Sequence, residues 1–245
     1  MDRLLEATAR AERDHFWFRG FRRFVEPLLA DARAAHGAPL EILDCGCGTG
    51  HNLATLGRHG RATGIDLTWT GLAAASRRGE RRLARATAAG LPFAAAAFDL
   101  VTSFDVLYAL PDETEREAIA EMFRVLRPGG RLLVNVAALE ALRGNHSILS
   151  GEVRRYSRGA LGKKLEAAGF RILRSTYTNL SILPLVAGVR FAQRITGHIE
   201  SQDEIAVPFA PVNALLSGLL AVEGAMLRVV NMPIGSSLLV TAERP

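Results

Sequence analysis

The segment from Asp44 to Gly50 combines an acidic residue with three glycines in the order Asp-x-Gly-x-Gly-x-Gly. Glycine permits backbone torsions that are closed to other residues, and it lets the chain pass close to a ligand. An apolar run over residues 40–43 precedes the segment, and residues 52–58 after it have helical character. The glycines are therefore expected between a strand and a helix N-terminus, where free amide groups and the helix dipole favour polar ligands.

An acidic residue at the end of the next predicted strand strengthens this interpretation. Asp66 lies 20 residues after Gly46 and closes the apolar run over residues 62–65. A carboxylate in this position can accept the hydroxyl hydrogens of a ribose. The order of strand, glycine turn, helix and carboxylate predicts a binding site for a nucleoside-containing cofactor.

Further strands and helices that would position these residues alternate along the chain. Apolar runs predict strands at residues 83–86, 98–104 and 132–136, and amphipathic patterns predict helices at residues 69–79 and 112–126. Such alternation is typical of βαβ units. It predicts an α/β fold with a parallel sheet covered by helices.

The spacing of the glycines separates two classes of cofactor. Dinucleotide-binding folds use Gly-x-Gly-x-x-Gly, whereas the glycines here alternate with single residues from Gly46 to Gly50. This pattern resembles the first motif of the class I S-adenosylmethionine-dependent methyltransferases. The chain resembles later elements of that family in Gly64-Ile65-Asp66-Leu67, Leu91-Pro92-Phe93, Phe98-Asp99-Leu100-Val101 and the run from Val125 to Leu133. Together these elements cover residues 40–136.

The resemblance implies a Rossmann-like, seven-stranded, mostly parallel sheet of order 3-2-1-4-5-7-6 with an antiparallel last strand. It also implies S-adenosylmethionine as cofactor and S-adenosylhomocysteine as product. In this family pattern Gly46 and Gly48, with Cys47 between them, lie under the methionine part of the cofactor. Asp44 then helps to hold the ammonium group of the cofactor, and Asp66 holds its ribose.

The adenine and sulfonium ends of the cofactor are assigned by the same resemblance. Leu67 is expected against the adenine ring. Family members often place an Asp four residues before Leu-Pro-Phe, but this chain has Thr87 there, so the Thr87 hydroxyl and the Ala88 N–H are expected to serve adenine. Phe104 and Asp105, at the end of the fourth strand, are expected beside the methionine and the sulfonium.

A second resemblance concerns the flanks of this core. Residues 15–19 (His-Phe-Trp-Phe-Arg), residues 154–157 (Arg-Arg-Tyr-Ser) and residues 168–170 (Ala-Gly-Phe) resemble a bacterial subgroup of these enzymes. That subgroup often has a His two residues before the Arg-Arg pair, where this chain has Glu152. The end of the site that binds the acceptor is therefore expected to differ from the subgroup pattern.

The N-terminal residues 1–38 are expected to form a helical lid of one or two helices, broken near Gly20 and Pro27. In this interpretation Trp17 covers the cofactor and excludes water, and Arg19 reaches the cofactor carboxylate. The alternative is that the aromatic residues of this segment only pack the helix on the sheet.

A helical insertion is expected between the last two strands. Residues 39–178 and 235–245 form the predicted cofactor-binding core, and residues 179–234 form the insertion. Its apolar segments, residues 180–189 and 212–230, are interrupted by Pro or charged residues and fall short of the uninterrupted run of roughly 20 residues that spans a bilayer. Three interpretations remain open for the insertion: a cap over an apolar substrate pocket, a dimer surface, or an interfacial membrane contact.

Two residues are predicted as catalytic because an acceptor hydroxyl or amine loses a proton on methylation and a nearby base can accept it. His146 follows the fifth predicted strand in a loop and titrates near neutral pH. Glu152 is the second candidate, with an ion pair to Arg154 or Arg155 as the alternative. Other candidate bases are Asp105, His15 and Tyr156.

Composition limits the classes of partner. The chain has 245 residues, 49% of them hydrophobic, which is ample for a packed core, and a net charge of +5. No nucleic-acid recognition module accompanies this charge. We therefore expect a small-molecule substrate, no nucleic acid, a possible contact with a membrane surface, and a monomer or homodimer.

The cysteines and the N-terminus predict a reduced, cytoplasmic protein without a metal. Cys45 and Cys47 are too close together for ordinary disulfide geometry and too few for a zinc site. The first ten residues are charged and lack the apolar stretch of a signal peptide.

Two other classes of function remain as alternatives. A nicotinamide-dependent oxidoreductase is disfavoured by the glycine spacing and by the lack of a Tyr-x-x-x-Lys set. A catalytically silent, methyltransferase-like binding or scaffold protein is disfavoured by the intact glycines and Asp66, and favoured by the departures at Thr87 and Glu152.

Overall fold

The computed structural model describes residues 2–143, 151–196 and 207–245. Its seven strands are β1 (Leu40–Cys45), β2 (Gly60–Asp66), β3 (Leu83–Arg85), β4 (Phe98–Phe104), β5 (Leu126–Ala137), β6 (Arg171–Thr178) and β7 (Ser237–Glu243). They form one sheet of order β3-β2-β1-β4-β5-β7-β6. β7 is antiparallel to both of its neighbours, and the remaining pairs are parallel. The predicted fold class and strand order are confirmed.

The helices cover both faces of this sheet. They are α1 (Asp2–Ala11), α2 (Phe16–His36), α3 (His51–Leu56), α4 (Trp69–Arg77), α5 (Asp112–Val125), α6 (Arg158–Ala167), α7 (Leu183–Thr196) and α8 (Ala210–Met226), with short 3₁₀ turns at Leu107–Ala109 and Glu140–Leu142. Successive strand residues point to opposite faces. Ile42 accordingly joins the core under α2, α3, α4 and α8, whereas Leu43 joins the core under α5 and α6.

The N-terminal helices divide at a different place from the predicted one. The break lies between α1 and α2, at residues 12–15, and α2 continues through both Gly20 and Pro27. The His15 side chain caps α2 by accepting a hydrogen bond from the Trp17 N–H at 3.2 Å. The buried face of α2 outweighs the poor helix propensity of Gly and Pro, because tertiary packing supplies most of a helix's stability.

α8 lies against α2. A Cβ built on Gly20 would approach Leu220 Cδ1 of α8 to 2.4 Å, so only glycine permits this close crossing. The polar side chains of α8 point inward. Asn213 Oδ1 accepts a hydrogen bond from the Phe16 N–H at 2.8 Å, and Glu223 accepts from the Ser181 N–H at 2.8 Å and the Ser181 hydroxyl at 2.6 Å.

α7 lies near the carboxyl ends of the strands, where it contacts the 3₁₀ turn that follows β5. Within the described residues no helix combines the length and apolar character that a membrane crossing requires.

Candidate active site

The glycine turn after β1 has the conformation that its sequence predicts. Gly46, Gly48 and Gly50 have φ angles of +81°, +50° and +76°, in the left-handed region that favours glycine. A Cβ on Gly46 would lie 2.3 Å from Val106 Cγ2, so neighbouring packing also excludes a side chain there. At Gly48 the nearest neighbour of such a Cβ would be Leu5 Cδ2, at 3.8 Å. The backbone at Gly48 therefore has open space, as close approach by a ligand requires.

The carboxylate of Asp66 holds this turn against the end of β2. Its Oδ2 accepts a hydrogen bond from the Gly48 N–H at 2.8 Å. Its Oδ1 accepts from the N–H and the hydroxyl of Thr68, at 2.8 and 2.6 Å. A carboxylate offers about four acceptor positions. Asp66 is half-buried and so retains acceptor capacity for a ribose while its orientation is fixed from both sides.

Asp44 occupies the interior of the same region. Its side chain is buried and accepts a hydrogen bond from the Thr102 hydroxyl at 2.7 Å. Burial raises the pKa of Asp44 to about 7; the bond from Thr102 lowers it and the nearby charge of Asp66 raises it. A nearby cation such as an ammonium group would stabilise the charged form of this carboxyl.

The residues predicted to serve adenine lie at the ends of β2 and β3. Leu67 is exposed beside Asp66, and Ala88 is buried. The Thr87 hydroxyl accepts a hydrogen bond from the Ala89 N–H at 3.2 Å, which leaves its own hydrogen free to be donated. Trp69, which the sequence did not single out, is also exposed, and the Arg85 guanidinium lies 5.4 Å from its ring centre.

α1 is clasped onto the glycine turn by Glu12. The Thr49 hydroxyl donates to Glu12 Oε2 at 2.5 Å, and Arg78 of the α4 C-terminus contacts the same oxygen at 3.3 Å. Arg78 also donates to the Ala9 carbonyl at 3.0 Å. The pKa of Glu12 is raised by burial, against the lowering effects of Thr49 and Arg78. This clasp joins elements far apart in sequence, and no local pattern pointed to it.

Aromatic side chains of α2 lie over the end of β4. Phe21 packs edge-to-face on Phe104, with ring centres 4.9 Å apart. Trp17 is one helical turn before Phe21 and packs against the same core. Arg19 is exposed. The sequence identified Trp17 and Phe104 but missed Phe21, which packs on Phe104.

Asp105, directly after β4, combines unusual backbone geometry with an unusual environment. Its φ is +60°, in the left-handed region that few non-glycine residues adopt. The residue is exposed to solvent, yet protein surrounds the carboxyl closely enough to raise its pKa to about 7. A hydrogen bond from Asn135 lowers this pKa and the charge of Glu152 raises it. Strained residues of this kind cluster at functional sites.

Two other non-glycine residues with positive φ directly follow strands of the same sheet. Leu139, after β5, has φ +60°, and Asn179, after β6, has φ +67°. Ligands of open α/β sheets bind at the carboxyl ends of the strands. Three of the four described non-glycine residues with positive φ therefore lie at the end of the sheet where this fold binds its ligands, and the fourth, Ala96 (φ +55°), precedes β4 at the opposite end.

Glu152 is bound by a guanidinium. Arg155 donates to both of its carboxylate oxygens, at 2.9 and 3.0 Å, and the carboxylate is buried. The sequence allowed an ion pair of Glu152 with either Arg154 or Arg155, and the structure forms the pair with Arg155. The catalytic role predicted for Glu152 stays a prediction. Tyr108 lies near Asp105 and Glu152. Burial raises the pKa of the Tyr108 hydroxyl, and the charges of these two carboxylates raise it further.

The remaining candidate bases lie elsewhere. His146 lies outside the described residues. His15 caps α2, and its pKa is lowered by burial. The Tyr156 hydroxyl is buried and donates to Glu115 Oε1 at 2.7 Å, and burial first of all raises its pKa. Tyr156 is therefore a packed core residue.

Comparison with known proteins agrees with this geometry. Residues 43–134 match the family described as "Methyltransferase domain". The chain is 32% identical to the O-methyltransferase resE of Aspergillus sclerotiorum over 169 residues, which is 63% of each protein. It spans less than two thirds of the length of the curated relatives that it matches.

Two solved structures share the fold. A possible histamine N-methyltransferase of Thermotoga maritima is 17% identical, with 99% of each chain covered and a TM-score of 0.61. The [4+2]-cyclase SpnF is 24% identical, with 90% of this chain and 81% of that chain covered and a TM-score of 0.55. The glycine turn, the Asp66 carboxylate, the strand order and the match of residues 43–134 together support a class I S-adenosylmethionine-dependent methyltransferase.

Proposed function

We propose that this protein transfers a methyl group from S-adenosylmethionine to an oxygen or nitrogen atom of a small, partly apolar molecule. The observation that carries the proposal is the hydrogen bond from the Gly48 N–H to Asp66, which positions an open glycine turn and a carboxylate at the ends of β1 and β2. This is the arrangement that binds a ribose and its attached group at the edge of a parallel sheet.

The residues present fit the cofactor. Asp66 would hold the ribose, with Leu67 and Thr87 on the adenine side, while Gly46 and Gly48 would hold the methionine part near Asp44. The cofactor supplies a methyl group on a positively charged sulfonium, which makes the methyl strongly electrophilic. Binding that aligns the acceptor atom with the methyl carbon, within about 3–3.5 Å, provides much of the rate enhancement.

We assign the acceptor-facing polar role to Asp105. It lies beside Phe104 at the end of β4, is reached by solvent and is oriented by Asn135 Nδ2 at 2.9 Å. A carboxyl with a pKa of about 7 is well suited to accept a proton near neutral pH. Arg155 and Glu152 would serve to position this group, and His146 stays a second candidate base.

The predicted apolar part of the substrate is supported by the surroundings of Asp105. Phe21 of α2 lies over Phe104, and Trp17 packs against the same hydrophobic core. α7 reaches the 3₁₀ turn after β5. Aromatic and aliphatic side chains with a few convergent polar groups are typical of small-molecule sites. In this proposal α2 is the lid and α7 contributes the cap.

A second candidate is a reaction other than methyl transfer, or binding without turnover. It is favoured by the likeness to the [4+2]-cyclase SpnF, since a shared fold does not determine chemistry. The two candidates differ in one product, S-adenosylhomocysteine, which only methyl transfer releases.

The first experiment is calorimetric titration of the purified protein with S-adenosylhomocysteine, with NADH as a parallel ligand. We expect micromolar binding of the first ligand only. Asp66→Ala should abolish it, whereas Asp31→Ala, an exposed carboxylate on α2, should bind normally. Binding of NADH instead would contradict the proposal.

Turnover is then tested with a panel of phenols, amines and lipid-like alcohols, and S-adenosylhomocysteine release is measured. Release that depends on one acceptor class identifies the substrate. Cofactor binding without release across all classes would favour the second candidate.

A further inference from the structure

Most of the exposed large hydrophobic side chains of the described chain belong to one segment. Exposed positions of this kind begin at Leu185 in α7 and end at Ile234, shortly before β7. α8 contributes five of them, and we call these the α8 face: Val212, Leu215, Leu219, Val222 and Met226. Contiguous apolar patches on a soluble protein mark interaction sites.

The exposed residues of α8 are apolar and its polar residues are buried, which is the reverse of an ordinary surface helix. Every exposed residue of α8 is Ala, Gly, Pro, Val, Leu or Met. Its polar residues are directed inward, as the contacts of Asn213 with Phe16 and of Glu223 with Ser181 illustrate. A surface helix normally shows the opposite arrangement. The exposed side chains of the α8 face offer apolar contacts and no hydrogen-bonding groups.

Most of the exposed charged residues that the structure describes near this face are arginines. Arg23 of α2 is exposed and donates to the Ser217 carbonyl of α8 at 2.7 Å, and Arg19 is exposed one helical turn before it. Arg228 is exposed directly after α8. Across residues 207–235 the sole carboxylate is Glu223, which is buried. An apolar strip with an arginine border is complementary to an anionic surface.

Further basic residues lie near the ends of the face. Arg174 of β6 donates to Asn231 Oδ1 at 2.8 Å, close to the C-terminal end of α8. At the opposite end Arg13 and Asp14 are adjacent in sequence and both exposed, so their charges offset each other. The net charge of the border is positive.

Two kinds of occupant could cover such a face. A second copy of the chain, paired by a two-fold axis through the α8 face, would bring the same arginines opposite one another. An anionic bilayer attracts arginines and accepts protruding apolar side chains without shape complementarity. Val229, which follows α8 and is 83% exposed, protrudes in the way that insertion into lipid requires.

We propose that the α8 face is a peripheral docking surface for an anionic lipid bilayer, with Val212, Leu215, Leu219, Val222 and Met226 inserted and Arg19, Arg23 and Arg228 near the lipid headgroups. The protein then lies on the membrane with α8 parallel to its surface.

The test is sedimentation of the full chain with vesicles of phosphatidylcholine alone and with about a third phosphatidylglycerol, at low and high salt. We expect the wild-type protein to sediment with the anionic vesicles and to be released by salt. The double variant Leu215→Asp/Leu219→Asp should bind at least about tenfold more weakly, because two charges would enter the lipid.

Leu173→Asp is the matched control, because Leu173 lies on the edge strand β6 and is 39% exposed, the same fraction as Leu219. It should bind like the wild-type protein. Val229→Asp, outside any helix or strand, tests the exposed segment that follows the α8 face without changing α8, and it should also weaken binding. Arg228→Glu should weaken binding to anionic vesicles while circular dichroism stays unchanged.

Three results would overturn the proposal. The first is a wild-type protein that stays in solution with anionic vesicles. The second is equal binding to both kinds of vesicle, which would remove the role of the arginines. The third is a concentration-dependent dimer in analytical ultracentrifugation that Leu215→Asp/Leu219→Asp dissociates, which would assign the face to a second copy.

Discussion

Asp105 and Asn135 are joined by two hydrogen bonds across the ends of β4 and β5. The Asn135 Nδ2 donates to Asp105 Oδ1 at 2.9 Å, and the Asp105 N–H donates to the Asn135 carbonyl at 2.9 Å. The pair fixes both the backbone and the carboxyl of Asp105. The second oxygen of that carboxyl is left to face the proposed acceptor.

If Asp105 is the base, turnover should rise with pH through about 7, because only the deprotonated carboxyl accepts a proton. Asp105→Asn should lower kcat by roughly 10²- to 10⁴-fold, the range typical of a general base, with S-adenosylhomocysteine affinity unchanged. The measurement is kcat against pH for the wild-type protein and calorimetry for the variant.

Two neighbouring variants should move this pH profile in opposite directions. Glu152→Gln removes a charge that raises the pKa of Asp105, so the profile should shift to lower pH. Asn135→Ala removes a hydrogen bond that lowers this pKa, so the profile should shift to higher pH. Equal shifts in one direction, or none, would exclude Asp105 as the titrating group.

Asp44 should make stability depend on pH. Its pKa is about 7 in the folded protein and ordinarily 3.8, so between these values the folded state holds a proton that the unfolded state has lost. The contribution of Asp44 to the free energy of unfolding is therefore fully present below pH 3.8 and is lost as the pH rises through 7. Since one pKa unit corresponds to about 1.4 kcal/mol, the loss is at most about 4 kcal/mol.

Asp44→Asn should remove this dependence, and the check is urea unfolding at pH 5 and pH 8. Because Asp105 titrates in the same pH range, the free energy of unfolding of the wild-type protein is compared with that of Asp44→Asn at each pH. The assignment would be contradicted if the free energy of unfolding of the wild-type protein, relative to that of Asp44→Asn, increased from pH 5 to pH 8.

The clasp of α1 on the glycine turn should contribute to cofactor affinity. Thr49→Val removes the hydroxyl that donates to the buried carboxylate of Glu12. A lost bond to a buried charged group costs about 1.5–3 kcal/mol, so we expect α1 amides to exchange faster and S-adenosylhomocysteine to bind about tenfold more weakly. Thr70→Val, on α4, is the control. Unchanged exchange in α1 would show that the clasp does not hold the helix.

Gly20 and Gly218 form a matched pair for the crossing of α2 and α8. A Cβ on Gly20 would meet Leu220, whereas a Cβ on Gly218 would meet nothing within 4 Å. Gly218→Ala should raise the free energy of unfolding by about 0.5–1 kcal/mol, because Ala favours helix. Gly20→Ala should lower it by about 1–3 kcal/mol through overpacking. Thermal unfolding of both variants checks the difference, and equal stabilisation would refute the close crossing.

The sequence by itself determined the features that depend on short stretches of chain. The strand, glycine turn and helix from residue 40 to residue 56, and the carboxylate of Asp66 at the next strand end, follow from local pattern and from a recognisable family motif.

Tertiary structure alone decided which side chains meet. Phe104 pairs with Asn135 in the register of β4 and β5, and this register brings Asn135 to Asp105, 30 residues away. The choice of Arg155 as the partner of Glu152 was likewise left open by their spacing. The outward direction of the α8 face depends on how α8 packs on α2 through Gly20, since the polar residues of α8 are buried and the usual amphipathic pattern would predict the opposite orientation.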